Sequence, residues 1–228
     1  MLHPWVEAVQ QQFTAADNPR VAGPMAAYMK HHFPFHGISS QHRALLLQPL
    51  LQKESLPSLN DVPTICRQLW HLPQREYAYA AMVLMGKFVK KFSPSDFPWI
   101  IELITQRSWW DSVDHLAGNV LSTVVNRYPE SLWPVFEPLI LSNNFWLNRT
   151  AMIVQLRSRE NTDSDFLTAA ILPHMENKEF FLRKAIGWSL RQYARTNPQW
   201  VIDFVQQHES SLSGLSKREA LKRLKNGR

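Results

Sequence analysis

The sequence predicts an all-α fold, a solenoid of stacked helix pairs, and three observations carry that expectation. Apolar residues recur at spacings of three and four through most windows, as in Ala78, Ala81, Met82, Met85, Phe88 and Val89, which share one helical stripe. Long β-branched alternations bounded by Asn-Gly or Asp-Gly turns are absent. Four segments open on similar polar-to-aromatic transitions at Pro73, Ser108, Asn144 and Glu179, which lie 35, 36 and 35 positions apart. A period of this length is typical of helix pairs that bury their apolar faces only against neighbouring pairs.

The elements follow from the breaks. Asn18-Pro19, the turn at 37–40, Pro57-Ser58, Pro73, Ser93-Pro94, Tyr128-Pro129, Asn143-Asn144, the turn at 161–163 and Asn197-Pro198 cut the chain into about a dozen segments of helix length. The alternate helix of each pair is expected at 95–105, 130–141, 163–175 and 198–208. Residues 1–228 are expected to form a single domain, with a less regular N-terminal cap of about 1–70 and a basic C-terminal helix over 215–228. That last stretch carries Lys217, Arg218, Lys222, Arg223, Lys225 and Arg228 against Glu219 alone, a pattern that suits a solvated face or a nucleic-acid contact.

Composition removes several function classes. The chain is 45% hydrophobic and 19% charged, the balance of a folded domain. Its seven glycines are too dispersed for a G-x-G phosphate loop. Cys66 is the single cysteine, so neither a disulfide framework nor a thiolate zinc site is expected. The nine histidines contain no H-E-x-x-H, and no metal or other cofactor is expected. No basic leader followed by an apolar run and no span of about 18 apolar residues occurs, so a cytoplasmic protein without membrane contact is expected. A net charge of +6 permits nucleic-acid binding.

Candidate site residues emerge from the repeat. In a curved stack the equivalent helices line one concave surface, and Trp110, Asp114, Arg149, Lys184 and Trp188 all fall within the first three turns of such helices. Ser108 is placed to cap its helix and Asp111 to complete a capping box, which gives Asp111 a structural role. Asp114 lies beyond capping reach and one turn from Trp110, so the two share a face. The same spacing suits a packing tryptophan and an ion pair of Asp114 with Arg149 or Lys184. Arg149 has two readings, gripping a phosphate or orienting the carboxylate. Trp109 reads as the packing residue of its pair. Gly187, beside Trp188, leaves room for a close approach by a ligand or by a packed backbone.

The segments 108–114, 145–149 and 184–194, with 24–30 and 215–220, resemble the signatures of the DNA alkylation repair enzymes, the AlkD-like alkylpurine DNA glycosylases. The resemblance implies HEAT-like helix pairs forming a concave DNA-binding cleft. It implies a monofunctional glycosylase that releases cationic N3- and N7-alkylated purines from double-stranded DNA in base excision repair, acting as a monomer in the cytoplasm at the nucleoid. Asp114 would then be catalytic, with Trp110 and Trp188 as cleft tryptophans. Arg149, Tyr28, Lys184, Lys217, Arg218 and Lys222 would contact DNA. Ser39 is shorter than the polar side chain the resemblance leads one to expect at that turn. A DNA binder without catalysis and a protein-interaction solenoid are the alternative readings.

Overall fold

The computed structural model describes residues 1–222 and 224. Fourteen α-helices and several short 3-10 turns make up the described residues, with no β-strand among them. The chain divides into two compact units, Met1–Lys91 and Phe92–Arg228.

The first unit contains α1 (Pro4–Ala15), α2 (Pro19–Tyr28), α3 (Ser40–Leu47), α4 (Val62–His71) and α5 (Arg75–Phe88). Pro4 and Pro19 stand at helix starts, where the missing N–H costs nothing. Helix α1 buries Val6, Val9 and Phe13 against α4 and α5, and Phe13 stacks on Tyr77 with ring centroids 5.6 Å apart. The stripe anticipated on α5 is the core face: Ala78, Ala81, Met82, Met85 and Phe88 are all buried.

A carboxylate fixes the loop that precedes α3. Glu76 is fully buried and accepts three backbone N–H bonds, from His36 (3.1 Å), Gly37 (2.9 Å) and Ile38 (3.2 Å). Gly37 has φ of +86°, and a Cβ there would stand 2.2 Å from the Asn18 carbonyl oxygen, so the turn admits only glycine. Helix α2 buries none of its residues, an irregularity in keeping with the uneven N-terminal pattern.

The second unit runs through α6 (Phe97–Thr105), α7 (Trp110–His115), α8 (Ser122–Arg127), α9 (Leu132–Ile140), α10 (Phe145–Ile153), α11 (Ser164–Ile171), α12 (Phe180–Tyr193), α13 (Pro198–Gln207) and α14 (Gly214–Leu221). Helices α5, α7, α10 and α12 begin at Arg75, Trp110, Phe145 and Phe180, so the period is 35 residues at every step. The expected alternate helices appear as α6, α9, α11 and α13. Several breaks are N-caps whose side chains accept a backbone N–H of the first turn: Asn144 from Trp146, Asp163 from Phe166, Glu179 from Phe181 and Asn197 from Trp200. Helix α10 is the centre of the stack and packs against α7, α9, α11 and α12. Its buried Asn148 donates to the carbonyls of Leu139, Ile140 and Ser142, closing the end of α9.

Two features depart from the sequence reading. The Ser108 hydroxyl donates to the Ile104 carbonyl at 2.6 Å and so closes α6 rather than capping α7, whose N-cap position is Trp109. The capping box with Asp111 therefore does not form, and Asp111 serves α7 as a first-turn acid facing the positive end of the helix dipole. Between α7 and α8 the helix widens into a π-helical segment, Leu116–Leu121. Such segments leave carbonyls open to outside donors, and the Arg157 Nε takes up that of Gly118 at 3.2 Å.

Candidate active site

The first residues of α7 separate by side-chain direction. Trp109 packs into an aromatic cluster, 5.9 Å from Trp146 and 5.3 Å from Phe181 between ring centroids. Trp110 instead lines a cavity of about 330 Å³, together with Asp114, Arg149, Phe180, Phe181 and Trp188. One helical turn puts Trp110 and Asp114 on the same wall, as their spacing requires.

Asp114 is held by a two-point grip. Arg149 Nε donates to Oδ1 and Nη2 to Oδ2, both at 2.7 Å, the forked geometry that makes guanidinium–carboxylate pairs strong. A third donor, Arg149 Nη1, reaches the Phe181 carbonyl. The Arg149 side chain is 4% exposed and that of Asp114 19%, so the carboxylate faces the cavity with the guanidinium behind it. Of the two roles expected for Arg149, the one displayed here is the orienting one, while its place in the cavity lining keeps it beside whatever enters. The guanidinium also sits 6.0 Å from the ring centroids of Phe181 and Trp188, tying the second tryptophan to the same pair.

A second cavity of about 450 Å³ opens on the other flank of Asp114 and Trp188, lined by Asp111, His115, Gly118, Asn119, Arg157 and Gln192 among others. The carboxylate thus stands at the waist between two open volumes. Burial, with Arg157 nearby as the lesser cause, lowers the pKa of His115 below its ordinary value and favours the neutral imidazole.

Lys184 also lines the first cavity, but its ammonium is bound at 3.0 Å to the carboxylate of Glu219, which Arg191 binds as well. The residue expected to contact DNA is thus held by a carboxylate in the free protein. Glu219 and Arg191 were both missed. The available signal was spacing, because Asp114, Arg149, Lys184 and Glu219 stand 35 residues apart at every step.

Glu219 reaches the site because α14 lies close against α12. A Cβ at Gly187 would come within 2.5 Å of the Glu219 Cβ and 3.0 Å of the Ser216 carbonyl oxygen. Gly187 is therefore a packing glycine, and the close approach is made by a helix rather than a ligand. Lys217, Arg218 and Lys222 do not line either cavity; Lys217 donates to the Glu209 carbonyl at 2.9 Å, and Arg218 and Lys222 are exposed. The expected basic helix ends at Leu221, and Arg223, Lys225 and Arg228 lie outside the described residues.

Tyr28 belongs to the first unit. It is 70% exposed and lines an apolar groove of about 380 Å³ with Val21, Met25, Phe35 and Tyr79. Ser39 caps α3, accepting from the His42 N–H at 3.2 Å. Among the described residues no group of three or more His, Cys, Asp or Glu is arranged to hold a metal, and no helix is long and apolar enough to cross a membrane.

An oriented, largely shielded carboxylate in a cavity that Trp110 and Trp188 also line is suited to stabilising a positive charge that enters it. Comparison with known proteins places the chain in a family. A predicted DNA alkylation repair enzyme from Enterococcus faecalis is similar in structure, with a TM-score of 0.84 and 36% identity over 91% of this chain and 96% of the other. No curated protein matches. The sequence matches the DNA alkylation repair enzyme family over residues 9–224, and the chain belongs to that family.

Proposed function

We propose that this protein is a monofunctional DNA glycosylase that hydrolyses the N-glycosidic bond of cationic N3- and N7-alkylated purines in duplex DNA. The observation that carries the reading is the Asp114 carboxylate, fixed by Arg149 and opening between Trp110 and Trp188 into a cavity. As the C1′–N bond breaks, its electron pair leaves with the base, which departs as a neutral alkylpurine. The deoxyribose is left with oxocarbenium character, which the Asp114 carboxylate stabilises. A water then bonds to C1′ and gives up a proton, leaving an abasic site in an intact strand. Trp110 and Trp188 present π faces to the cationic nucleotide. Because the base is already charged, the chemistry calls for no general acid.

Affinity comes from phosphate contacts. Exposed Arg218 and Lys222, half-buried Lys217, and Tyr28 on the other unit are the contacts proposed for the duplex, which the protein engages as a monomer. A cytoplasmic, nucleoid-associated enzyme follows from this substrate.

The test is incubation of the native protein and Asp114→Asn with duplex DNA carrying N7-methylguanine. Release of free base by the native protein, and a loss of about 10²–10³ in rate on Asp114→Asn with duplex binding retained, is the expected result. One observation favours a second reading, a DNA binder without catalysis: Asp114 and Arg149 satisfy one another at two points, as a structural ion pair does. Binding by the native protein without base release would establish that reading instead.

A further inference from the structure

Helix α14 brings a second acidic residue, besides Asp114, into a cavity lining that carries the cations Arg149, Lys184 and Arg191. Glu219 Oε1 accepts from Lys184 Nζ at 3.0 Å, and Oε2 accepts from Arg191 Nη1. All three residues line the cavity that holds Asp114. Lys184 and Arg191 are seven residues apart on α12, so both project from one face across two turns. A single carboxylate draws the tips of these two long side chains together.

Exposure distinguishes positioning from masking. The side chains of Lys184 and Arg191 are 38% and 25% exposed and that of Glu219 is 17% exposed. The cations therefore lie nearer the opening and the carboxylate deeper. Among the described residues Glu219 takes one of the three donors of the ammonium and one of the five of the guanidinium, leaving the others for a ligand. One carboxylate against two cations leaves an excess of one positive charge. The Lys184 hydrogen bond, with the charges of Lys184 and Arg191, holds the Glu219 carboxyl below its ordinary range despite burial, so it is ionised at neutral pH.

We infer that Glu219 is a positioning residue which sets Lys184 and Arg191 as a two-cation clamp for a backbone phosphodiester of the bound duplex, next to Asp114. The inference rests on the DNA-binding part of the reading above and not on base release. An unrestrained lysine and arginine lose rotamer freedom on gripping a phosphate; held by Glu219, they have already lost it in the free protein. The absence of a β-carbon at Gly187 serves the same end, because it lets α14 close on α12 at the level of Glu219.

The experiment measures binding of the full chain to a fluorescently labelled, unmodified duplex across a salt series. Glu219→Gln is expected to weaken binding about fivefold to tenfold although it removes a negative charge from a DNA-facing wall. In a Lys184→Ala, Arg191→Ala background the same substitution is expected to change nothing further, because its effect passes through those two side chains. Lys184→Ala and Arg191→Ala are each expected to lower the slope of log affinity against log salt by about one. Tighter or unchanged binding on Glu219→Gln would show a masking carboxylate and overturn the inference. So would an undiminished effect of Glu219→Gln in the doubly substituted background, which marks a role in folding alone. If Glu219→Gln does not fold, the salt slopes of the two cation variants decide, and unchanged slopes overturn the clamp. Native protein that binds duplex but releases no base defeats the glycosylase reading and leaves the clamp standing.

Discussion

Replacing Gly187 by alanine tests whether α14 is an integral wall of the site. In most helix interiors this change stabilises, by about 1 kcal/mol, because alanine loses less backbone freedom on folding. Here the added methyl group would meet the Glu219 Cβ at 2.5 Å, the Ser216 carbonyl oxygen at 3.0 Å and the Ser216 Cα at 3.3 Å. Two of the three obstacles are backbone atoms of a packed helix, and the third is the root of a side chain held by two cations, so relief requires moving α14 itself. Overpacking of this kind costs about 3 kcal/mol at the upper end of its usual range. Set against the propensity gain, the net loss is about 2 kcal/mol, or about 4–8 °C in Tm for a chain of this size. Gly86→Ala, in exposed α5 surface with no atom within 4 Å of the new methyl group, is the control and is expected to raise Tm by about 2–4 °C. The assay is thermal unfolding of both variants, with hydrogen exchange over 214–221 to locate the loosening. A Tm for Gly187→Ala equal to or above the native value would refute the argument.

Two more outcomes follow from buried groups. Glu76→Gln places an amide nitrogen against one of the three backbone N–H groups that the carboxylate serves, and a loss of about 2–4 kcal/mol is expected by denaturant unfolding, with a change under about 0.5 kcal/mol counting against the reading. Since the folded His115 pKa is depressed by burial, the unfolded chain binds the proton more readily. The neutral imidazole should therefore cost nothing above its ordinary pKa of about 6.5, and stability should fall as pH drops through that value. The pH dependence of Tm between about 7.5 and 5 should flatten in His115→Gln, and an unchanged slope would remove His115 from the account.

Much of the second unit was legible because its boundaries are local chemistry. Asn144, Asp163 and Asn197 read as breaks and Glu179 as the opening of a repeat segment, and all four are N-caps, each needing only a side chain two or three residues from its partner. Ser108 misled for the same local reason, since a serine between two helices can serve either one and the choice fell to the Ile104 carbonyl. The Asp114 face was readable from one turn of helix and an ion pair with Arg149 or Lys184 from the repeat, whereas the choice of Arg149 depends on how α7 meets α10. Glu219 was hidden by composition: as the lone acid in a basic stretch it looked like dilution of a charged tail, and only the docking of α14 turns it inward. The π-helical segment was not read from the sequence; one of its carbonyls, that of Gly118, is met by Arg157, 39 residues away.

That widened segment also has a bearing on how the helix from Trp110 to Arg127 serves two masters. Each residue of an α-helix turns the chain by about 100°, so the extra residue accommodated in a π turn offsets everything after it by about that angle. Upstream, Trp110 and Asp114 look into the cavity, while downstream Val124 and Val125 are buried in the core. The two stretches are thereby out of phase with one another along a single unbroken rod. One continuous helix thereby turns Asp114 toward the cavity while burying Val113 upstream and Val124 and Val125 downstream in the core.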